Sequence, residues 1–92
     1  MEQNIIFLEA QSNYTLIYYH SGKRRIVTHT LKKVLQDYED QFLRIHHSFA
    51  VNSKCIRQIS IKKKCLITSD GRELPISRRK LPLVFKNLAL AL

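Results

Sequence analysis

A mainly antiparallel β domain with one short internal helix and a C-terminal helix is what this 92-residue sequence predicts, and three observations carry it. Short runs rich in β-branched and aromatic residues occur on both sides of a single short helical pattern. Two of the connections, His20-Ser21-Gly22-Lys23 and Ser69-Asp70-Gly71, carry hairpin turn signals. Helical spacing of apolar residues appears in only two places, after Thr30 and after Leu81.

Taken in order, Ile5-Ile6-Phe7-Leu8 reads as a strand buried on both faces, and Glu9 to Asn13 as a polar break with Ser12-Asn13 suited to a turn. Tyr14 to Tyr19 is a second strand, and Arg24 to Thr28 returns from the Gly22 turn as a third. Thr28 or Thr30 can cap a helix whose Leu31, Val34, Leu35 and Tyr38 share a face and which ends by Gln41. Its exposed side carries Lys32, Lys33, Asp37 and Glu39, with no surplus of either sign. Phe42 to Val51 alternates and reads as one strand that breaks into the polar loop Asn52-Ser53-Lys54. Cys55 to Ile61 alternates again, with Cys55, Arg57, Ile59 and Ile61 on one face. Lys62-Lys63-Lys64 is a basic turn, Cys65 to Thr68 a strand, and Arg72 to Ile76 the strand returning from Gly71. Ser77 is a good helix cap, but Pro82 would remove a donor inside a helix begun there, so the regular helix begins near Leu81. Leu81, Val84, Phe85, Leu88 and Leu92 line one face of it. Leu83, Leu90 and Ala91 fall elsewhere, an excess that suits contact with a further segment or a second copy of the chain.

The length fits a single domain over residues 1–92. Sixteen Lys and Arg against seven Asp and Glu give a net charge of +9, and the excess is one-sided. Residues 1–41 carry five of each sign, so all of it arises after Phe42. Such asymmetry favours a polyanionic partner, although a charge excess by itself fits a solvated basic face equally well. Cys55 and Cys65 read as buried, reduced thiols, with no Cys-x-x-Cys pairing for zinc. There is no signal-peptide pattern and no membrane-spanning run, so the expected location is cytoplasmic. Neither a Gly-rich phosphate loop nor a Gly-x-Ser-x-Gly turn is present, and His46 and Ser48 lack a third orienting group. Neither an enzyme nor a metal or other cofactor is expected.

Three places could carry binding chemistry. Arg78-Arg79-Lys80 puts cations where a helix start is already partly positive, a local cost of about 0.3–1 kcal/mol each that suits a phosphate partner. Asn52-Ser53-Lys54 offers groups able to meet a base edge or a phosphate, but from the tripeptide alone a plain turn is the simpler reading. Tyr14, with Asn13 before it, could stack or hydrogen-bond, and could equally fill core.

Several motifs in fixed order then tie these places together: Phe7-Leu8-Glu9-Ala10 followed by Asn13-Tyr14, Thr30-Leu31, the run Phe42-Leu43-Arg44-Ile45-His46-His47-Ser48-Phe49-Ala50-Val51-Asn52, and Leu74-Pro75-Ile76-Ser77-Arg78. In this order they resemble the LytTR family of bacterial DNA-binding domains over nearly the whole chain. The resemblance implies an elongated, mainly antiparallel β fold and a role as output domain of a response regulator that controls transcription. It implies double-stranded DNA as partner, bound through loops entering two successive major grooves with contacts to the minor groove between. Carried over by position, it places base contacts at Tyr14, Asn52 and Arg79 and phosphate contacts at Asn13, Ser53, Lys54, Arg78 and Lys80. Relative to the family pattern the sequence lacks the usual first strand or two and a receiver domain. A second copy on a repeated DNA site is a further expectation. A small basic module for RNA or an acidic protein is the alternative.

Overall fold

The computed structural model describes residues 4–38 and 41–91, the last four of these by their backbone alone. Strand β1 (Ile5–Gln11) is central. It pairs antiparallel with β2 (Tyr14–Tyr19), Gln11 opposite Tyr14 and Ile5 opposite Tyr19, and on its other edge with β5 (Phe49–Asn52), Phe7 opposite Val51 and Glu9 opposite Phe49. Adding β3 (Arg24–Val27) beside β2 and β4 (Phe42–His46) beside β5 gives a five-stranded sheet in the order β3-β2-β1-β5-β4. A second, three-stranded sheet runs β6 (Ile56–Ser60), β7 (Cys65–Thr68), β8 (Glu73–Pro75). Every pairing is antiparallel. Helix α1 (Leu31–Leu35) follows β3, and α2 (Leu81–Ala91) ends the fold. The described chain measures 33 × 25 × 22 Å.

Both faces of the larger sheet are buried at its centre, as the unbroken apolar run of β1 predicts, while edge strand β3 is largely exposed. On one face Ile6, Phe7, Leu16, Tyr18 and Val51 meet Leu66 and Leu74 of the second sheet, Ile76 just after it and Val84 of α2. On the other, Ile5, Leu8, Ile17 and Ala50 meet Leu31 and Val34 of α1. Ile6 and Phe7 are adjacent yet share a face because the register shifts between Ile5 and Phe7, a bulge that suspends strict alternation. Ile5, Ile6, Phe7 and Leu8 are each at most 2% exposed, so β1 feeds both cores at once. Truncating one of them to Ala would cost about 2–5 kcal/mol.

A polar clasp also joins the sheets. The Phe7 and Tyr18 rings stack with centroids 4.2 Å apart, and the Arg72 guanidinium from the β7–β8 turn lies 5.0 Å from the Tyr18 centroid. Tyr18 Oη donates to Glu9 Oε1 at 2.8 Å. Burial, then this bond, raises the Tyr18 phenol above its ordinary range.

Five expectations change. Glu9 to Gln11 is strand rather than break, because those residues pair with Leu16, Thr15 and Tyr14. Helix α1 is only five residues long, capped by Thr30, whose Oγ1 accepts from Lys33 N at 3.4 Å, and it unwinds through turns to Tyr38. The expected Glu39 on its exposed side lies outside the described residues. A bulge between Ile56 and Gln58 breaks the expected alternation of β6, so Ile56 and Ile59 both pack on the core while Arg57 and Gln58 are exposed. Phe85, expected on the buried face of α2, is 53% exposed, whereas Val84 is fully buried. The side chains of Leu88, Leu90, Ala91 and Leu92 lie outside the described residues. The largest change concerns Phe42 to Val51, which is not one strand but the hairpin β4–β5, turning at His47-Ser48.

Candidate nucleic-acid interface

That hairpin turn is held by a side chain. Arg44 Nε donates to the His46 carbonyl at 2.9 Å and Nη2 to the His47 carbonyl at 2.6 Å, while His46 Nδ1 accepts from Ser48 N at 3.0 Å. Neither His47 nor Ser48 has a positive φ, so the turn closes without the glycine or asparagine that two-residue hairpins usually use. Burial lowers the Arg44 guanidinium from its ordinary range, but an arginine so perturbed stays charged at neutral pH. The consequence is that the His47 side chain stands exposed at the tip, and no hydrogen bond of the described residues engages its imidazole.

Two neighbouring segments stand at the same end. Ala10 N donates to Ser48 O at 2.8 Å, so the β1–β2 turn, with Asn13 exposed and Tyr14 38% exposed, lies next to the His47 turn. On the other side, beyond the β4 edge, Ser77 N donates to Ile45 O at 2.8 Å. Ser77 then makes a turn, accepting from Lys80 N on Oγ at 3.2 Å and on its carbonyl at 3.0 Å, and this turn presents Arg78 and Arg79 to solvent ahead of α2. These cations sit in the turn before the helix rather than in its first turn. Arg44, His46, His47, Ser77, Arg79 and Lys80 line one concavity of about 390 Å³ with no carboxylate among them.

Sheet order fixes the arrangement. The β1–β2 turn, the β4–β5 turn and the Ser77–Lys80 turn follow one another across one sheet end, the first two about 10 Å apart at roughly 4.8 Å per strand. Of the residues expected to contact DNA, Asn13, Tyr14, Arg78, Arg79 and Lys80 therefore stand at one rim. The β4–β5 hairpin carries Asn52, Ser53 and Lys54 to the opposite rim, because β5 runs back along β1 towards Ile5. The seven residues of β1 separate the rims by roughly 20 Å at about 3.4 Å each.

Asn52 is also turned inward. It is 6% exposed, its Nδ2 donates to Ile5 O at 2.9 Å, and its Oδ1 accepts from Lys54 N at 3.0 Å, capping the short 3-10 turn Ser53–Cys55. An amide buried and bonded at both ends joins the end of β5 to β1, so Asn52, expected from sequence to contact a base, is turned inward in this structure. Ser53 is similarly engaged, its Oγ donating to Gln41 O at 3.3 Å. His47, which sequence reasoning did not single out, stands exposed at the tip of the β4–β5 turn. Its signal was the polar triplet His46-His47-Ser48 between two apolar runs, a hairpin pattern without the usual turn residues.

Comparison with known proteins identifies this architecture. The model of the LytTr DNA-binding domain family matches residues 2–89, and the chain therefore belongs to that family. Among solved structures it is similar to the LytTr DNA-binding domain of a protein described as a methyl-accepting/DNA response regulator from Bacillus cereus, with a TM-score of 0.79 and 23% identity over 92% of this chain and 81% of that one. No curated protein matches. Among the described residues, no three His, Cys, Asp or Glu side chains are grouped to hold a metal ion, and no helix is long and apolar enough to cross a membrane.

Proposed function

We propose that this LytTR domain binds double-stranded DNA sequence-specifically, as the cytoplasmic output domain of a bacterial transcription regulator of the two-component type. The observation that carries the reading is the row of three turns along one rim, rich in cations and free of carboxylates where they line its concavity. Arg79 is placed to fork onto a guanine edge, and Tyr14 and His47 to meet base edges from their turn tips. Asn13, Arg78 and Lys80 meet phosphates. Asn52 acts from behind, fixing the end of β5 against β1, and Ser53 and Lys54 stand off the bound face. Arg44 and His46 shape the His47 turn and read nothing themselves.

The test is a gel shift with duplexes selected from a random pool, in the presence of excess nonspecific competitor. Neutralising about four to six phosphates gives a log–log salt slope near −4 to −5. A selected consensus that survives competition is the expected result. Equal retention of random duplex and single-stranded RNA would overturn the sequence-specific reading, and a slope near zero would remove its electrostatic basis.

A further inference from the structure

The Lys62-Lys63-Lys64 turn is used by nothing described so far. All three residues are exposed, and among the described residues the only ion pair is Arg72–Asp70, although the Glu73 carboxylate and the Lys63 ammonium both act on the Cys65 thiol nearby. Three cations in sequence, none of them in an ion pair, repel one another unless an anion meets them. The turn is nevertheless well built. Lys63 N donates to Ser60 Oγ at 3.1 Å and Lys64 N to Ile61 O at 3.3 Å. Lys64 adopts a left-handed backbone, φ 54°, where Gly or Asn would be less costly, so a lysine stands there against the local conformational preference.

Its position gives the cluster a direction. Ser60 pairs with Cys65 and Cys65 with Pro75, which brings the turn to the end of the second sheet where the chain leaves β8 for the Arg78 turn. Ile76 N donates to Lys64 O at 2.8 Å, two residues before Arg78. We propose that Lys62 and Lys63, with Lys64, form a sequence-blind phosphate contact that extends the cationic rim beyond Arg79 and Lys80 along the backbone of the same duplex. This rests on the duplex-binding reading above.

The test compares two double variants of equal charge change in the whole chain. Lys62→Gln/Lys63→Gln alters the turn. Lys32→Gln/Lys33→Gln alters exposed residues of α1, on the face of the larger sheet opposite the second sheet. Lys64 is left intact because its positive φ would confound the result. Dissociation constants are measured against salt for a selected and a scrambled duplex. The first variant is expected to reduce the magnitude of the slope by about two and to weaken both duplexes by the same factor, while the second leaves the slope unchanged. Lys62→Arg/Lys63→Arg should restore it. Equal loss in both Gln variants would show that net charge alone acts, and an unchanged slope in the first, or its loss of acidic-protein rather than duplex binding, would overturn the inference while leaving the duplex reading standing. If the unaltered domain shows no salt-dependent duplex binding, the duplex reading itself fails and carries this inference with it.

Discussion

The two rims of the five-stranded sheet are both basic, yet they are built to different ends. At one, the turns at Ser12–Asn13, His47–Ser48 and Ser77–Lys80 are closed by main-chain bonds and by Arg44 and Ser77, so the tip side chains are left unspent. At the other, Lys23, Arg24 and Arg25 gather near His20, with Lys54 on the far side of that histidine. There the polar groups are consumed internally: Asn52 by Ile5 and Lys54, Ser53 by Gln41, and Cys55 Sγ by His20 Nε2 at 3.4 Å. Counting cations does not separate the rims. Asking which polar tips remain available does.

The strongest way to break this contrast is Arg79. Arg79→Ala should cost about 1–3 kcal/mol on the selected site and little on scrambled duplex, measured by competition binding. Arg79→Lys keeps the charge without the planar fork and should not restore discrimination. Full discrimination in Arg79→Lys would mean that no base is read through the fork.

Next come the residues assigned to support. Asn52→Ala leaves the Ile5 carbonyl and Lys54 amide short of partners and should cost about 1–2 kcal/mol of folding stability, as should Arg44→Ala and His46→Ala through the turn they close. At about 4–8 °C per kcal/mol for a domain of this size, thermal melts resolve such losses. Asn52→Ala with an unchanged melt and abolished discrimination would return Asn52 to the reading set.

Smaller is the difference between Lys80 and Lys54. Lys80→Ala should weaken all duplexes alike and reduce the salt slope by about one, whereas Lys54→Ala should leave it unchanged. Equal slopes would erase the distinction between rims. Smallest is a pH effect away from both. Burial opposes ionisation of Asp70, but hydrogen bonds from the Thr68 hydroxyl and Arg72 outweigh it and hold the carboxyl below its ordinary range. A depressed carboxylate contributes stability above its unfolded value near 3.9 and loses it as pH falls through the lower folded value. Wild type should therefore lose slightly more stability than Asp70→Asn on acidification below about pH 4, by less than about 1 kcal/mol because the pair is partly exposed. Parallel acid titrations of the two proteins would refute it.

Much of the fold was legible because its signals are local. Strands β2 and β7 begin and end where their apolar runs do, Gly22 and Gly71 supply positive φ at their turns, and α2 starts at Leu81 as Pro82 requires. Three bulges were not legible, at Ile5–Phe7, Arg44–His46 and Ile56–Gln58, because each lets alternation slip without a marker residue. The β4–β5 turn stayed hidden for a related reason: it is closed by a guanidinium from three residues upstream, not by its own residues. Because of it the sequence reading had no way to see that Asn52 and Lys54 stand at the end of β5 opposite the His47 turn. Arg78 to Lys80 stood out in the sequence as a run of cations ahead of a helix, and the structure places them in the turn before Leu81.

The register of β1 with β2 and β5, together with the Ser77 to Ile45 bond at the β4 edge, brings together residues 14, 47 and 79, which are far apart along the chain. Each tip projects from its own closed turn, so a change at one leaves the closure of the others intact. On the proposed reading, binding preference can then drift one turn at a time, each step a single substitution on an unaltered frame, and a short peptide cut from any one turn would inherit none of it.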